Sequence, residues 1–65
     1  MKIKVKGKIP TQDKNDIRDL LAGFLADNHH LEIEKVLPVL KVAMAGKGYK
    51  FKFQQGPNLT VCEVV

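Results

Sequence analysis

The sequence predicts an α+β fold with the element order β-α-α-β-β, in which a three-stranded antiparallel sheet carries helices on one face. Two observations support this prediction. Apolar and polar residues alternate with a period of two at both ends of the chain, as they do in half-buried strands. Apolar residues in the middle, residues 11–46, recur at helical spacing instead. Pro38 leaves open whether the helices number two or three, because proline can break a helix.

The first strand is predicted over residues 2–9. Its β-branched side chains point to one face, which they share with Gly7, and four lysines point to the other. The first face carries Ile3, Val5 and Ile9, and the second carries Lys2, Lys4, Lys6 and Lys8. Pro10 ends the strand.

The first helix is predicted over residues 11–28. Its apolar stripe consists of Ile17, Leu20, Leu21, Phe24 and Leu25. Thr11 or Asp13 can accept hydrogen bonds from the unpaired N–H groups of the first turn. The segment Asn28-His29-His30 is interpreted as the turn that follows the helix.

The second helical segment, residues 31–46, is ambiguous in its first half. Residues 31–34 alternate as a strand would, yet Ile33, Val36, Leu37, Leu40 and Met44 lie at helical spacing. We favour a helix, either continuous or divided at Pro38. Gly46 is expected to take the left-handed conformation that follows many helix C-termini.

Residues 48–65 predict a β-hairpin. Tyr49, Phe51 and Phe53 alternate with two lysines, Lys50 and Lys52. The register of the last strand stays open, because both of its faces carry apolar residues. One face has Leu59 and Val61, and the other has Thr60, Cys62 and Val64. The core is expected to form between Ile3, Val5, Ile9, Tyr49, Phe51 and Phe53 of the sheet and Leu20, Leu21, Phe24, Leu25, Leu37 and Leu40 of the helices.

Length and composition predict one small domain, residues 1–65, of ordinary globular character. The apolar runs are far shorter than the roughly 20 residues that a membrane span needs. One cysteine, Cys62, excludes an internal disulfide framework and suits a reducing compartment. We therefore expect a cytoplasmic protein that binds neither a membrane nor a cofactor.

Charge is sorted along the chain. Residues 1–10 and 47–65 carry seven lysines and one acid, whereas residues 11–46 carry four bases and six acids. The two ends thus carry +6 and the helical middle −2, which together give the net charge of +4. The sheet is expected to display a lysine face, defined as Lys2, Lys4, Lys6, Lys8, Lys50 and Lys52.

The lysine face predicts a polyanionic partner, with nucleic acid favoured. Outward side chains on a strand are about 6.6–7 Å apart, near the phosphate spacing of an extended nucleic-acid strand. Protection of a sheet edge explains a single lysine-rich strand equally well, but not a second one on the same face. The alternative is an adaptor or inhibitor that binds a partner protein, either with the lysine face against an acidic surface of the partner or through the apolar second helix.

The sequence predicts no enzymatic activity and no metal site. His29 and His30 are adjacent and lack a pattern of further ligands, so a turn is the better interpretation. Cys62 lacks the signature of a nucleophile. The segment Gly46-Lys47-Gly48 lacks the earlier glycine and the following helix of a phosphate-binding loop.

The second helix is apolar on more than one side. Val39, Val42 and Ala43 lie off the stripe that faces the core. A helix that exposes one face to solvent normally carries polar residues on that face. We expect these three residues to form the seam of a homodimer.

Overall fold

The computed structural model of the chain describes residues 2–27 and 32–65, and these contain three strands and two helices. The chain order is β1 (Lys2–Lys6), α1 (Thr11–Asp27), α2 (Ile33–Ala43), β2 (Phe51–Gln55) and β3 (Leu59–Val64). The α+β class, with a three-stranded sheet and two helices, is confirmed.

The prediction of a purely antiparallel sheet is wrong. The order across the sheet is β1-β3-β2, with β3 parallel to β1 and antiparallel to β2. A parallel pair needs a long crossover, which the two helices and β2 supply here. The last strand takes the central position because three of its six side chains, Thr60, Cys62 and Val64, are buried. The lysine-bearing β1 lies at an edge, where charged side chains are common.

Residues 33–43 of the ambiguous segment form a single helix, α2, and residue 31 lies outside the described residues. Pro38 lies inside α2 and divides nothing in the described residues, so the three-helix version is wrong. Proline lacks the amide that would bond to the carbonyl of Glu34, but Pro38 is exposed and one lost hydrogen bond does not end the helix. At the other end, the Met44 N–H donates to the Leu40 carbonyl at 2.9 Å. Gly46 has a φ of +82°, which confirms its predicted left-handed conformation.

The core lies between the helices and the inner face of the sheet. Its buried apolar residues are Ile17, Leu21, Val36, Leu40, Met44, Cys62 and Val64. Most of the predicted core residues pack around them in partly buried positions, including Tyr49, Phe51 and Phe53. The register settles the open question in β3, because it pairs Cys62 with both Val5 and Phe53 and so turns that face inward.

Gly7 allows the chain to leave β1 close to the central strand. Its φ is +143°, a conformation that residues with a side chain rarely adopt. A Cβ atom at this position would lie 2.6 Å from the Val64 carbonyl oxygen. The close approach of the two backbones therefore requires glycine.

Candidate nucleic-acid interface

The outer face of the sheet brings together lysines from both of its edge strands. Paired residues point to the same face, so the register defines rows across the sheet. One row is Lys4–Val61–Gln54 and the next is Lys6–Glu63–Lys52. Lys2 pairs with Leu59 at one end. At the other end Lys50 and Val65 exchange two backbone hydrogen bonds of 2.9 and 2.8 Å.

All six members of the lysine face are exposed. Five of them lie on the outer face by alternation along β1 and along residues 50–52, which lead into β2. Lys8 is different, because it follows the bend at Gly7 and lies beyond the end of β1. Strand geometry therefore does not assign Lys8 to this face.

The central strand contributes apolar side chains to the same face. Leu59 is 40% exposed and Val61 is partly exposed, and they lie beside Lys2 and Lys4 respectively. The sequence alone did not identify them as members of the site, because the register of the last strand was open. The signal that could have identified them is burial: Cys62 and Val64 pack inward only if Val61 points outward.

One acid interrupts the lysines. Glu63 is exposed and stands in register between Lys6 and Lys52. Its charge offsets part of the positive potential at that end of the face. An open depression of about 430 Å³ lies there, with Val61 and these three charged side chains in its lining. The positive charge is least opposed near Lys2 and Lys4.

The aromatic side chains do not join this surface. Tyr49, Phe51 and Phe53 are half-buried and pack against the core. Stacking on aromatic side chains, a common means of binding single strands, therefore has no platform on the lysine face. Contacts to phosphates would be made by lysine ammonium groups.

A polar cluster that sequence analysis missed lies at the start of α1. The Asp13 carboxylate is buried and accepts hydrogen bonds from Lys47 Nζ at 2.6 Å and from the Tyr49 hydroxyl at 2.7 Å. These hydrogen bonds lower the pKa of Asp13 and raise those of Lys47 and Tyr49. Asp13 was one of two residues, with Thr11, predicted to accept hydrogen bonds from the N–H groups of the first turn. The Asp13 carboxylate pairs with Lys47 in the segment after α2, so the positive charge of Lys47 is offset by Asp13 and Lys47 is not part of the lysine face.

The residues predicted to form a dimer seam lie on the outside of α2. Val42 is 78% exposed, Val39 is 37% exposed and Ala43 is exposed. Val36 and Leu40 point into the core from the other side of the helix. The three residues form a small apolar surface whose role in self-association stays a prediction.

Of the other candidate site residues, the structure describes Cys62 but not the two histidines. Cys62 is buried, and burial raises the pKa of its thiol to about 11. His29 and His30 lie outside the described residues. Within the part of the chain that the structure describes, no three His, Cys, Asp or Glu side chains are grouped to hold a metal ion. Neither described helix has the length and apolar character to cross a bilayer.

Comparison of this chain with protein-family models, with curated proteins and with solved structures finds no match.

Proposed function

We propose that this protein binds nucleic acid through the phosphates, using the lysine face of its sheet and discriminating little between sequences. The observation that carries the proposal is the register. It aligns lysines of both edge strands, Lys2, Lys4 and Lys6 on one side and Lys50 and Lys52 on the other, on the face opposite the core. Both lysine-bearing strands are edges of the sheet, so edge protection accounts for a lysine on each of them. It does not require five lysines on one face, and such an array forms a surface suited to an extended polyanion.

The type of basic side chain limits the sequence specificity that we expect. The lysine face contains no arginine. Arg18, the one arginine in the chain, lies exposed on α1. Sequence is most often read at base edges by the two-pronged guanidinium group of arginine. Lysine acts as a point charge and favours contact with phosphates.

The salt dependence of binding tests the proposal. Each phosphate contact contributes a slope of about −0.9 for duplex, or about −0.7 for a single strand, to log K against log[salt]. The five aligned lysines set an upper limit of about −4.5 for duplex or −3.5 for a single strand. Absence of binding to either form at about 50 mM salt would contradict the proposal.

A charge-matched pair of variants separates the lysine face from overall charge. Lys4→Glu with Lys6→Glu takes the net charge from +4 to zero and should abolish binding. Lys35→Glu with Lys41→Glu makes the same change on exposed positions of α2 and should retain most of it. Equal losses in the two variants would show that only net charge matters.

An adaptor that binds another protein is the second candidate, and the exposure of Val42 favours it. An apolar surface of this kind on α2 suits a protein partner better than a nucleic acid. Isolation of the protein from native lysate with and without nuclease distinguishes the two. A partner protein retained in a fixed ratio after nuclease treatment supports the adaptor, whereas loss of all partners supports nucleic-acid binding.

A further inference from the structure

The lysine face is not uniformly charged, because apolar side chains run along its centre. Lys2 stands beside Leu59 and Lys4 stands beside Val61 in the register of β1 with β3. Leu59 is 40% exposed although it is a large apolar residue. Each of these two lysines therefore has an apolar neighbour on the same surface, about 4.8 Å away in the direction of the hydrogen bonds.

We propose that this face binds single-stranded nucleic acid in preference to duplex, with phosphates along β1 and bases against Leu59 and Val61. The inference rests on the proposed function and names the class of ligand for the same site. Successive lysine side chains on the outer face of β1 leave the backbone about 6.6–7 Å apart, a spacing that suits the phosphates of an extended nucleic-acid strand. The apolar side chains lie on β3, next to β1. The bases of a nucleic-acid strand whose phosphates follow β1 would lie on that side.

A duplex cannot use the apolar part of this surface. Its bases are paired and stacked on one another, so the face of a sheet meets only phosphates and groove edges. A single strand exposes the apolar faces of its bases, and burial of Leu59 and Val61 against them removes apolar surface from water. Only a single strand can contact both the lysine and the apolar side chain of each pair, with its phosphate and its base respectively.

Glu63 restricts the proposed nucleic-acid contacts to one end of the lysine face. It lies between Lys6 and Lys52 and repels a phosphate that approaches either of them. Lys2 and Lys4 have apolar neighbours in the same positions. The structure therefore assigns the principal contacts to the half of the sheet that contains Lys2, Lys4, Leu59 and Val61.

Binding of fluorescein-labelled ligands at about 50 mM salt tests the inference. The probes are an oligothymidylate of 20 nucleotides, a duplex of 20 base pairs, and vesicles of an anionic phospholipid. We expect the single strand to bind about tenfold more tightly than the duplex, which corresponds to the burial of one to two small apolar side chains. Equal binding, or tighter binding of the duplex, would overturn this inference and leave the proposed function intact. Loss of binding to both nucleic acids would overturn both, as would binding to vesicles alone.

Variants of the central strand test the role of the apolar side chains. Leu59→Thr with Val61→Thr keeps residues that favour strands and should weaken single-strand binding about fivefold or more. Duplex binding and the salt slope should stay unchanged, because no charge is altered. Ala22→Ser, at an exposed position of α1, alters no charge and lies outside both the lysine face and the apolar surface of α2, so it is the control and should have no effect on either ligand. Thermal unfolding checks that each variant is folded, and a single-strand preference that survives the double substitution would overturn the proposed contact.

Discussion

Asp13, in the first turn of α1, accepts a 2.6 Å hydrogen bond from Lys47, a residue 34 positions later in the chain. The same carboxylate accepts a second bond from the Tyr49 hydroxyl at 2.7 Å. Both partners lie in the segment that leads from α2 to β2. The cluster therefore ties that connection to the start of the first helix. Its charges are matched, so a buried carboxylate is tolerated.

Replacement of Asp13 by Asn should destabilise the protein at neutral pH and flatten the acid side of its stability profile. The folded-state pKa of Asp13 is lowered below the ordinary value of 3.8, chiefly by the hydrogen bond from Lys47. Its contribution is thus complete above that value and is lost as the pH falls through the folded-state pKa. Urea unfolding of both proteins between pH 2 and 7 measures the difference. A difference that stays constant over this range would contradict the assignment.

Tyr49→Phe separates the hydroxyl from the ring within the same cluster. The ring still packs against the core, but Asp13 loses one donor. The pKa values of Lys47 and Tyr49 are raised above their ordinary values of 10.5 and 10.0, so both residues contribute stability at neutral pH that is lost as the pH rises through their folded-state pKa values. We expect Tyr49→Phe to weaken the alkaline dependence in urea unfolding between pH 8 and 11. An alkaline profile identical to that of the unmodified protein would rule out this role of the hydroxyl.

Gly7→Ala should destabilise the protein by about 1–3 kcal/mol, because it forces a side chain into a left-handed backbone conformation. The added Cβ would also lie 2.6 Å from the Val64 carbonyl oxygen. Gly23→Ala is the matched control, since a Cβ there meets nothing within 4 Å in the middle of α1. The control should stabilise the helix by about 0.5–1 kcal/mol. Thermal unfolding of the two variants compares them directly, and similar effects at both positions would contradict the close approach.

Cys62 should resist thiol reagents in the folded protein. Its side chain is fully buried on the central strand, and its pKa is raised to about 11. Little thiolate is therefore present at pH 8, and reagent has no access to it. Mass spectrometry after iodoacetamide treatment should detect modification only when urea is added. Rapid modification of the folded protein would show that β3 opens far more readily than the packing indicates.

Val42→Asp should convert a dimer to a monomer if the outer side of α2 forms the seam. Val42 is 78% exposed, so the substitution leaves the core intact and places a charge in the centre of that surface. A dimer would carry two lysine faces, and its loss should weaken binding to a long polyanion through reduced avidity. Sedimentation of the unmodified protein is the decisive measurement. A monomer at high micromolar concentration would exclude the seam through Val39, Val42 and Ala43.

The candidate site was predictable where it depends on alternation alone. Lysines at every second position of β1 must share a face, and apolar residues between them identify the other face as the one turned inward. Leu59 and Val61 were not predictable as members of the site. Their strand has apolar residues on both sides, and its facing depends on its pairing with β1 and β2. The Asp13 cluster had no local signal, because its members are distant in sequence.

The sequence by itself determined the α+β class, the helical middle and the facing of the lysines within β1, because the period of a strand or a helix is a property of adjacent residues. Only the tertiary structure decided the order β1-β3-β2, the parallel pairing of β1 with β3 and the continuity of α2 through Pro38. These features depend on which surfaces are buried against each other. The most apolar strand gains most from the central position, and that gain comes from contacts between residues far apart in the chain.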